Sequence, residues 1–132
     1  MSESTQAQVA HGVHNAIAAY AHALDDGRTD DIVTLFCPDG VSEIMGVGTF
    51  EGHEAIRQVF AGMVPTQPQR HLVANTVITS WTEDEATVNS DLVFLQRGES
   101  GWAVLIAGRY EDTLRHDGAS WLFRHRKITY VM

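Results

Sequence analysis

The sequence predicts an α+β fold, with helices first and an antiparallel meander after them. Three observations predict it. Up to about Met63, apolar residues recur at spacings of three and four. From His71 onward they gather instead in four strand-like runs. Between the runs lie Thr82-Glu83-Asp84-Glu85, Gly98-Glu99-Ser100-Gly101 and His116-Asp117-Gly118, all of turn-like composition.

Taken in order, Val9, Val13, Ile17, Tyr20, Ala21 and Leu24 form one stripe of an amphipathic first helix. Gly27 sits where a C-terminal cap belongs. Thr29 can cap a short second helix, with Asp30 and Asp31 in its first turn and Ile32, Val33, Leu35 and Phe36 as its apolar part. Pro38 stops it, and Asp39-Gly40 turns the chain into a strand from Val41 to Met45. Gly46 and Gly48 interrupt that strand, and Thr49-Phe50 is its return partner. Gly52 leads into a third helix with Ile56, Val59, Phe60 and Met63 on one face. The four later strands are expected near His71 to Trp81, Ala86 to Gln96, Trp102 to Arg115 and Trp121 to Val131. Asp117-Gly118 between two of them is a hairpin signal. A long antiparallel sheet with few helices invites curvature, and helices folded against it leave room for a small-molecule pocket.

The chain has 132 residues, which suits one domain spanning residues 1–132. Its formal charge is −8, with 9 Lys and Arg against 17 Asp and Glu. That balance argues against nucleic acid or an anionic membrane as partner. Cys37 is the single cysteine, so no internal disulfide forms. No basic-then-apolar leader opens the chain, and no apolar run approaches the roughly 20 residues that span a bilayer. The expected setting is the cytoplasm.

Two residues carry most of the chemical interest. Asp25 ends the first helix. Counting about 100° per residue from Ile17, it lies roughly 80° away, on the shoulder of the apolar stripe, while Asp26 lies at about 180° and faces solvent. A carboxylate at a helix C-terminus also opposes the macrodipole, at a cost of about 0.3–1 kcal/mol. His71 opens a strand, and strict alternation gives it a face shared with Val73, Asn75, Val77 and Thr79. A carboxylate beside an imidazole orients it as a base, holding one N–H so that the other nitrogen can take a proton. Tyr20 lies on the helical stripe one turn from Asp25, either as core or with its hydroxyl toward a substrate. Arg126 alternates with Leu122 and Ile128; if it points inward it needs an acid, which Asp25 or Glu43 could supply. His11 and His14 have no third ligand near, so no metal site is expected. No P-loop, nucleophile elbow or dinucleotide fingerprint is present, and no cofactor is expected.

Taken together, Ile17-x-x-Tyr20-x-x-x-x-Asp25, Leu35-Phe36 with Asp39-Gly40, Phe50-x-Gly52-x-x-Ala55-Ile56, Arg70-His71-x-x-x-Asn75, Gly108-x-Tyr110-x-Asp112 and Asp117-Gly118-x-x-Trp121 have a familiar order. The chain resembles the SnoaL-like branch of the nuclear transport factor 2-like superfamily over nearly its whole length. The resemblance implies a cone-shaped α+β barrel, three N-terminal helices packed on a strongly curved, mostly antiparallel sheet. It also implies an apolar pocket in the cone and a homo-oligomer, dimer or trimer. The members most similar in pattern are scytalone dehydratase, hexachlorocyclohexane dehydrochlorinase and bile-acid dehydratase, in which an Asp–His pair removes a proton as a leaving group departs. Asp25 and His71 match that pair, and Arg126 matches an arginine of the dehydrochlorinase.

Two readings follow. The first is a cofactor-independent lyase, dehydratase-like, or an isomerase, acting on a small and largely apolar molecule. His71 is then the general base, Asp25 its orienter, and Tyr20, Asn75 and Arg126 the substrate-binding residues. The second is a non-catalytic ligand-binding protein or a dioxygenase β-subunit-like partner on the same fold. An epoxide hydrolase of the limonene type is a third reading, but no Asp–Arg–Asp set can be assembled for it.

Overall fold

The computed structural model describes residues 5–131. Helix α1 (Gln6–Asp25) begins at a capping box in which Thr5 accepts from the Gln8 N–H and the Gln8 side chain accepts from the Thr5 N–H. Its stripe is buried as the periodicity requires, and Gly27, at φ +70°, follows the Asp26 cap. Helix α2 (Thr29–Val33) starts one residue earlier than expected. Arg28 is its N-cap without a side-chain bond, and Thr29 is already helical. Helix α3 (His53–Ala61) follows Gly52, whose φ of +85° suits glycine, and buries Ile56 and Phe60.

Six strands form one sheet: β1 (Phe36–Ile44), β2 (Gly48–Glu51), β3 (Gln69–Trp81), β4 (Glu85–Gly98), β5 (Gly101–His116) and β6 (Trp121–Tyr130). The spatial order is β2-β1-β6-β5-β4-β3. All neighbours are antiparallel except β1 and β6, which run parallel. The sheet is strongly curved, and the helices close it into the expected α+β cone.

Two local expectations need correction. Strand β1 begins at Phe36, not Val41. Between the pairs Phe36↔Phe123 and Val41↔His125, β1 carries extra residues that bulge out of register. Pro38, which has no N–H to give a ladder, sits in that interruption rather than ending a helix. The hairpin signalled by Asp117-Gly118 forms, with a four-residue loop, 117–120, joining β5 to β6. Asp117 Oδ1 accepts the N–H groups of Ala119 and Ser120 and so closes the loop. Finally, β3 does not alternate strictly. Ala74 pairs with Asp91 and Val77 with Asn89, so one extra residue lies on β3 there, and a second lies between Ile78 and Ser80. Asn75, at φ +54°, occupies the first bulge.

Cross-strand register lays the inner face out in rows. One joins Ser42, Arg126, Asp112 and Val88 across β1, β6, β5 and β4. Ile44, Ile128, Tyr110 and Ser90 form the next. Tyr130, Gly108, Leu92 and Val73 come third, and Ile106, Phe94 and His71 fourth. Among the described residues no helix is long and apolar enough to cross a membrane.

Candidate functional site

Asp25 and His71 meet. The Asp25 side chain is 6% exposed and that of His71 13%, and Nδ1 of the ring lies 2.6 Å from Asp25 Oδ1. Asp25 Oδ2 accepts the His71 backbone N–H at 2.8 Å, and Gln69 Nε2 donates to Oδ1 at 3.2 Å. Three N–H donors thus converge on two oxygens and hold the carboxylate in one orientation. They also answer the unfavourable end of the helix dipole, since charge-assisted bonds of this kind outweigh a cost of about 0.3–1 kcal/mol. With Asp25 as acceptor, Nδ1 carries the ring proton, which leaves Nε2 free to accept one. The ring stacks on Phe94, its partner across β4, at 4.6 Å and 29°. That contact fixes its tilt.

His71 borders two spaces. Inside the cone is a cavity of about 250 Å³. Its walls are mostly apolar, including Leu24, Ile44, Phe60, Leu92 and Ile106, with polar atoms from His71, Gln69 and three tyrosines, Tyr20, Tyr110 and Tyr130. The volume lies just below the about 300–1,000 Å³ usual for drug-sized ligands, so it fits a compact molecule. Outside, a shallower groove of about 500 Å³ runs between α1 and β3, past His14, His22, Leu72 and Thr76.

The other expected residues are placed differently. Tyr20 lines the cavity with its ring, but its hydroxyl is sealed from solvent and has no partner among the described residues. Burial, then Tyr110, raise its pKa far above the ordinary phenol value. Asn75 is not in the cavity. The bulge at Asn75 swaps the inward set of β3 from Val73 to Thr76 and Ile78, and Asn75 bonds Asp91 on the outer face instead. Arg126 does point inward, yet neither Asp25 nor Glu43 is its acid. Asp112, opposite it on β5, accepts from Nε at 3.0 Å and from Nη2 at 3.3 Å, with both side chains 0% exposed. Glu43 lies on the outer face with His125 and Lys127. Arg126 does not border the cavity. Its guanidinium lies 3.4 Å from the Tyr110 ring centre, 4.3 Å from Tyr20 and 4.5 Å from Phe123, so it braces the floor beneath the aromatic cluster. Burial pushes the Asp112 carboxyl up to about 6, although Arg126 pulls the other way. Burial works against the Arg126 charge, but Asp112 and the neighbouring phenols hold its pKa above the ordinary value.

Gln69 and Phe94 escaped the reading from sequence, and Tyr110 and Asp112 entered it only as part of the Gly108-x-Tyr110-x-Asp112 motif, without a role. Gln69 is two residues before His71 and so on its face, but it falls within what reads as a Pro-containing loop. Tyr110 and Asp112 alternate inward on β5, and no local signal marks them as polar partners. Among the described residues, no three of His, Cys, Asp and Glu gather as metal ligands would.

The profile of the SnoaL-like domain matches residues 6–127. The chain belongs to the SnoaL-like domain family. Its neighbours among solved structures agree on the fold. A protein of unknown function from Mycobacterium tuberculosis superposes with a TM-score of 0.89 at 21% identity, covering 96% of this chain and 73% of that one. A candidate scytalone dehydratase from Novosphingobium aromaticivorans gives 0.84 at 21%, covering 94% and 85%. The β subunit of a candidate aromatic-ring-hydroxylating dioxygenase from the same organism gives 0.83 at 23%, covering 97% and 93%. At these identities the likeness to the SnoaL-like chain is one of fold. No curated protein matches it.

Proposed function

We propose that this SnoaL-like protein is a cofactor-independent lyase or isomerase acting on a small, largely apolar molecule. The observation that carries the reading is the 2.6 Å contact between Asp25 Oδ1 and His71 Nδ1 at the wall of an apolar cavity. His71 Nε2 takes a proton from carbon while Asp25 holds the tautomer and stabilises the imidazolium. Return of the proton at another carbon gives an isomer, and departure of a neighbouring leaving group with its electron pair gives a lyase product. A positioned base of this kind contributes about 10²–10⁴ in rate. The test needs no named substrate. A panel of compact carbon acids is incubated in D₂O, and proton NMR follows exchange at the acidic carbon. Wild type should accelerate exchange for at least one member, and His71→Ala and Asp25→Asn should each abolish it with the fold intact. Equal exchange in the variants would sink the proposal.

A second reading has its own support. The outer face of β3, β4 and β5 exposes Leu72 at 57%, Trp102 at 51% and Val104 at 61%. Such a face suits another protein surface, and a second copy of this chain is the occupant we favour. Sedimentation of wild type and Val104→Asp tests it: a dimer or trimer that dissociates in the variant supports the assembly, and a monomeric wild type refutes it.

A further inference from the structure

His71 has a second fixed neighbour besides its acid. Phe94 lies opposite it across the β3–β4 ladder. The two rings stack with centres 4.6 Å apart and planes 29° from parallel. Phe94 also lines the cone cavity, so the stacked pair stands at one wall of it. Among the described residues, the carboxylate of Asp25 is the only charged group bonded to the imidazole. His14 and His22 of α1 share the outer groove with it, and Arg70, next along β3, turns its guanidinium to the Gln69 carbonyl. Tyr130 borders the cavity too, and burial keeps Tyr20 and Tyr110 there as neutral phenols.

We propose that Phe94 is a positioning residue for the base: the face of its ring stabilises the imidazolium of His71 and so raises the proton affinity of that imidazole. Its part in turnover rests on the general-base reading above. When the C–H bond of a substrate breaks, the proton goes to the lone pair of His71 Nε2 and the bonding pair stays with carbon. The imidazole becomes a cation, and only then does the negative face of the Phe94 ring attract it as a charge. The interaction is stronger after proton transfer than before it, which lowers the barrier instead of tightening the ground state.

The geometry meets the requirements of such a contact. The separation lies inside the about 6 Å over which an aromatic face holds a cation. The rings are stacked and not edge-on, so Phe94 presents its negative face and not its positive rim. The His71 side chain is 13% exposed and Phe94 is half-buried, so water screens the attraction less than on an open surface. Asp25 holds both the backbone N–H and the ring Nδ1 of His71, which keeps the imidazole from turning away. Burial alone acts in the opposite direction, because an apolar neighbour that only excludes water disfavours the imidazolium. An aliphatic side chain in place of Phe94 keeps that penalty and loses the attraction, so the two contributions separate.

The test is an NMR titration of the ligand-free protein, labelled with ¹³C at histidine Cε1, with the His71 signal assigned by its loss in His71→Ala. Phe94→Leu should lower the proton affinity of His71 about threefold. A second set of proteins carries phenylalanine with one or with three ring fluorines at position 94, introduced by nonsense suppression. Fluorine drains the ring face while the shape stays, so these proteins should keep the melting temperature even if Phe94→Leu loses its fold. Proton affinity should fall stepwise with fluorine number, a response that a purely steric contact would not give. An unchanged or raised affinity in folded Phe94→Leu, or a flat fluorine series, overturns the proposal. A graded series with no carbon-acid exchange in D₂O removes the general-base reading and leaves the stack standing; exchange with a flat series does the reverse.

Discussion

Replacing Asp112 with Asn tests whether Arg126 is a brace or a substrate ligand. The pair is sealed, with both side chains 0% exposed and two bonds of 3.0 and 3.3 Å between them. Asn preserves the shape and removes the charge. Arg126 then stays buried without a counterion, and Nη1 is already without a partner. Breaking such a pair costs about 3–5 kcal/mol. The aromatic rings at 3.4–4.5 Å still hold the cation in the variant, so the low end, about 3 kcal/mol, is expected. With a urea dependence of about 1–3 kcal/mol per molar, the unfolding midpoint should fall by about 1–3 M. The double variant Asp112→Leu with Arg126→Met removes both charges, and it should recover most of the loss or exceed wild type. Urea unfolding followed by circular dichroism measures all three proteins. A loss below about 1 kcal/mol in Asp112→Asn, or a double variant no better than the single, refutes the brace.

Further outcomes follow from the same geometry. Asp112 holds its proton more tightly when folded, about 6 against 3.8, so its stabilising contribution is present below pH 4 and drains as pH rises through 6. Urea midpoints should show this slope, of up to about 3 kcal/mol, in wild type and lack it in Asp112→Asn. Gln69→Leu removes one of the three donors on Asp25; carbon-acid exchange should slow about tenfold at saturating substrate with half-saturation unchanged, and a changed half-saturation with unchanged maximal exchange would contradict a positioning role. Asn75→Val forces a β-branched residue to φ +54° and should cost about 1–3 kcal/mol in thermal unfolding. Asn75→Gly should cost less, and equal losses would show that the backbone angle is not the reason.

Where the sequence was legible, one physical rule governed a whole element. The α1 stripe from Val9 to Leu24 is buried because its 3.6-residue period is unbroken, and the same count turns Asp25 inward and Asp26 out. The meander was legible because four long runs are separated by unmistakable turns. What was not legible depended on single-residue irregularities. One extra residue at Asn75 inverts the facing of β3 beyond it, and strict alternation therefore misplaced Asn75 in the pocket. The loop 117–120 and a register shift between Thr113 and Leu114 decide that Arg126 faces Asp112. The meeting of Asp25 with His71 joins elements 46 residues apart, and periodicity supplied only their facing.

The extra residue at Asn75 also limits how this strand can change length. On its first side the strand owes its inward residues to Gln69 and His71, which serve the carboxylate; on the far side it owes them to Thr76 and Ile78, which serve the core. Deleting the bulged residue itself restores plain alternation and keeps both sets inward, whereas a one-residue deletion that leaves the bulge in place rotates one set outward and forfeits either the dyad or the packing. A single-residue change of length in β3 is therefore tolerated only where it removes or adds a bulge. Relatives whose third strand differs in length by an odd number should have moved, lost or compensated the bulge.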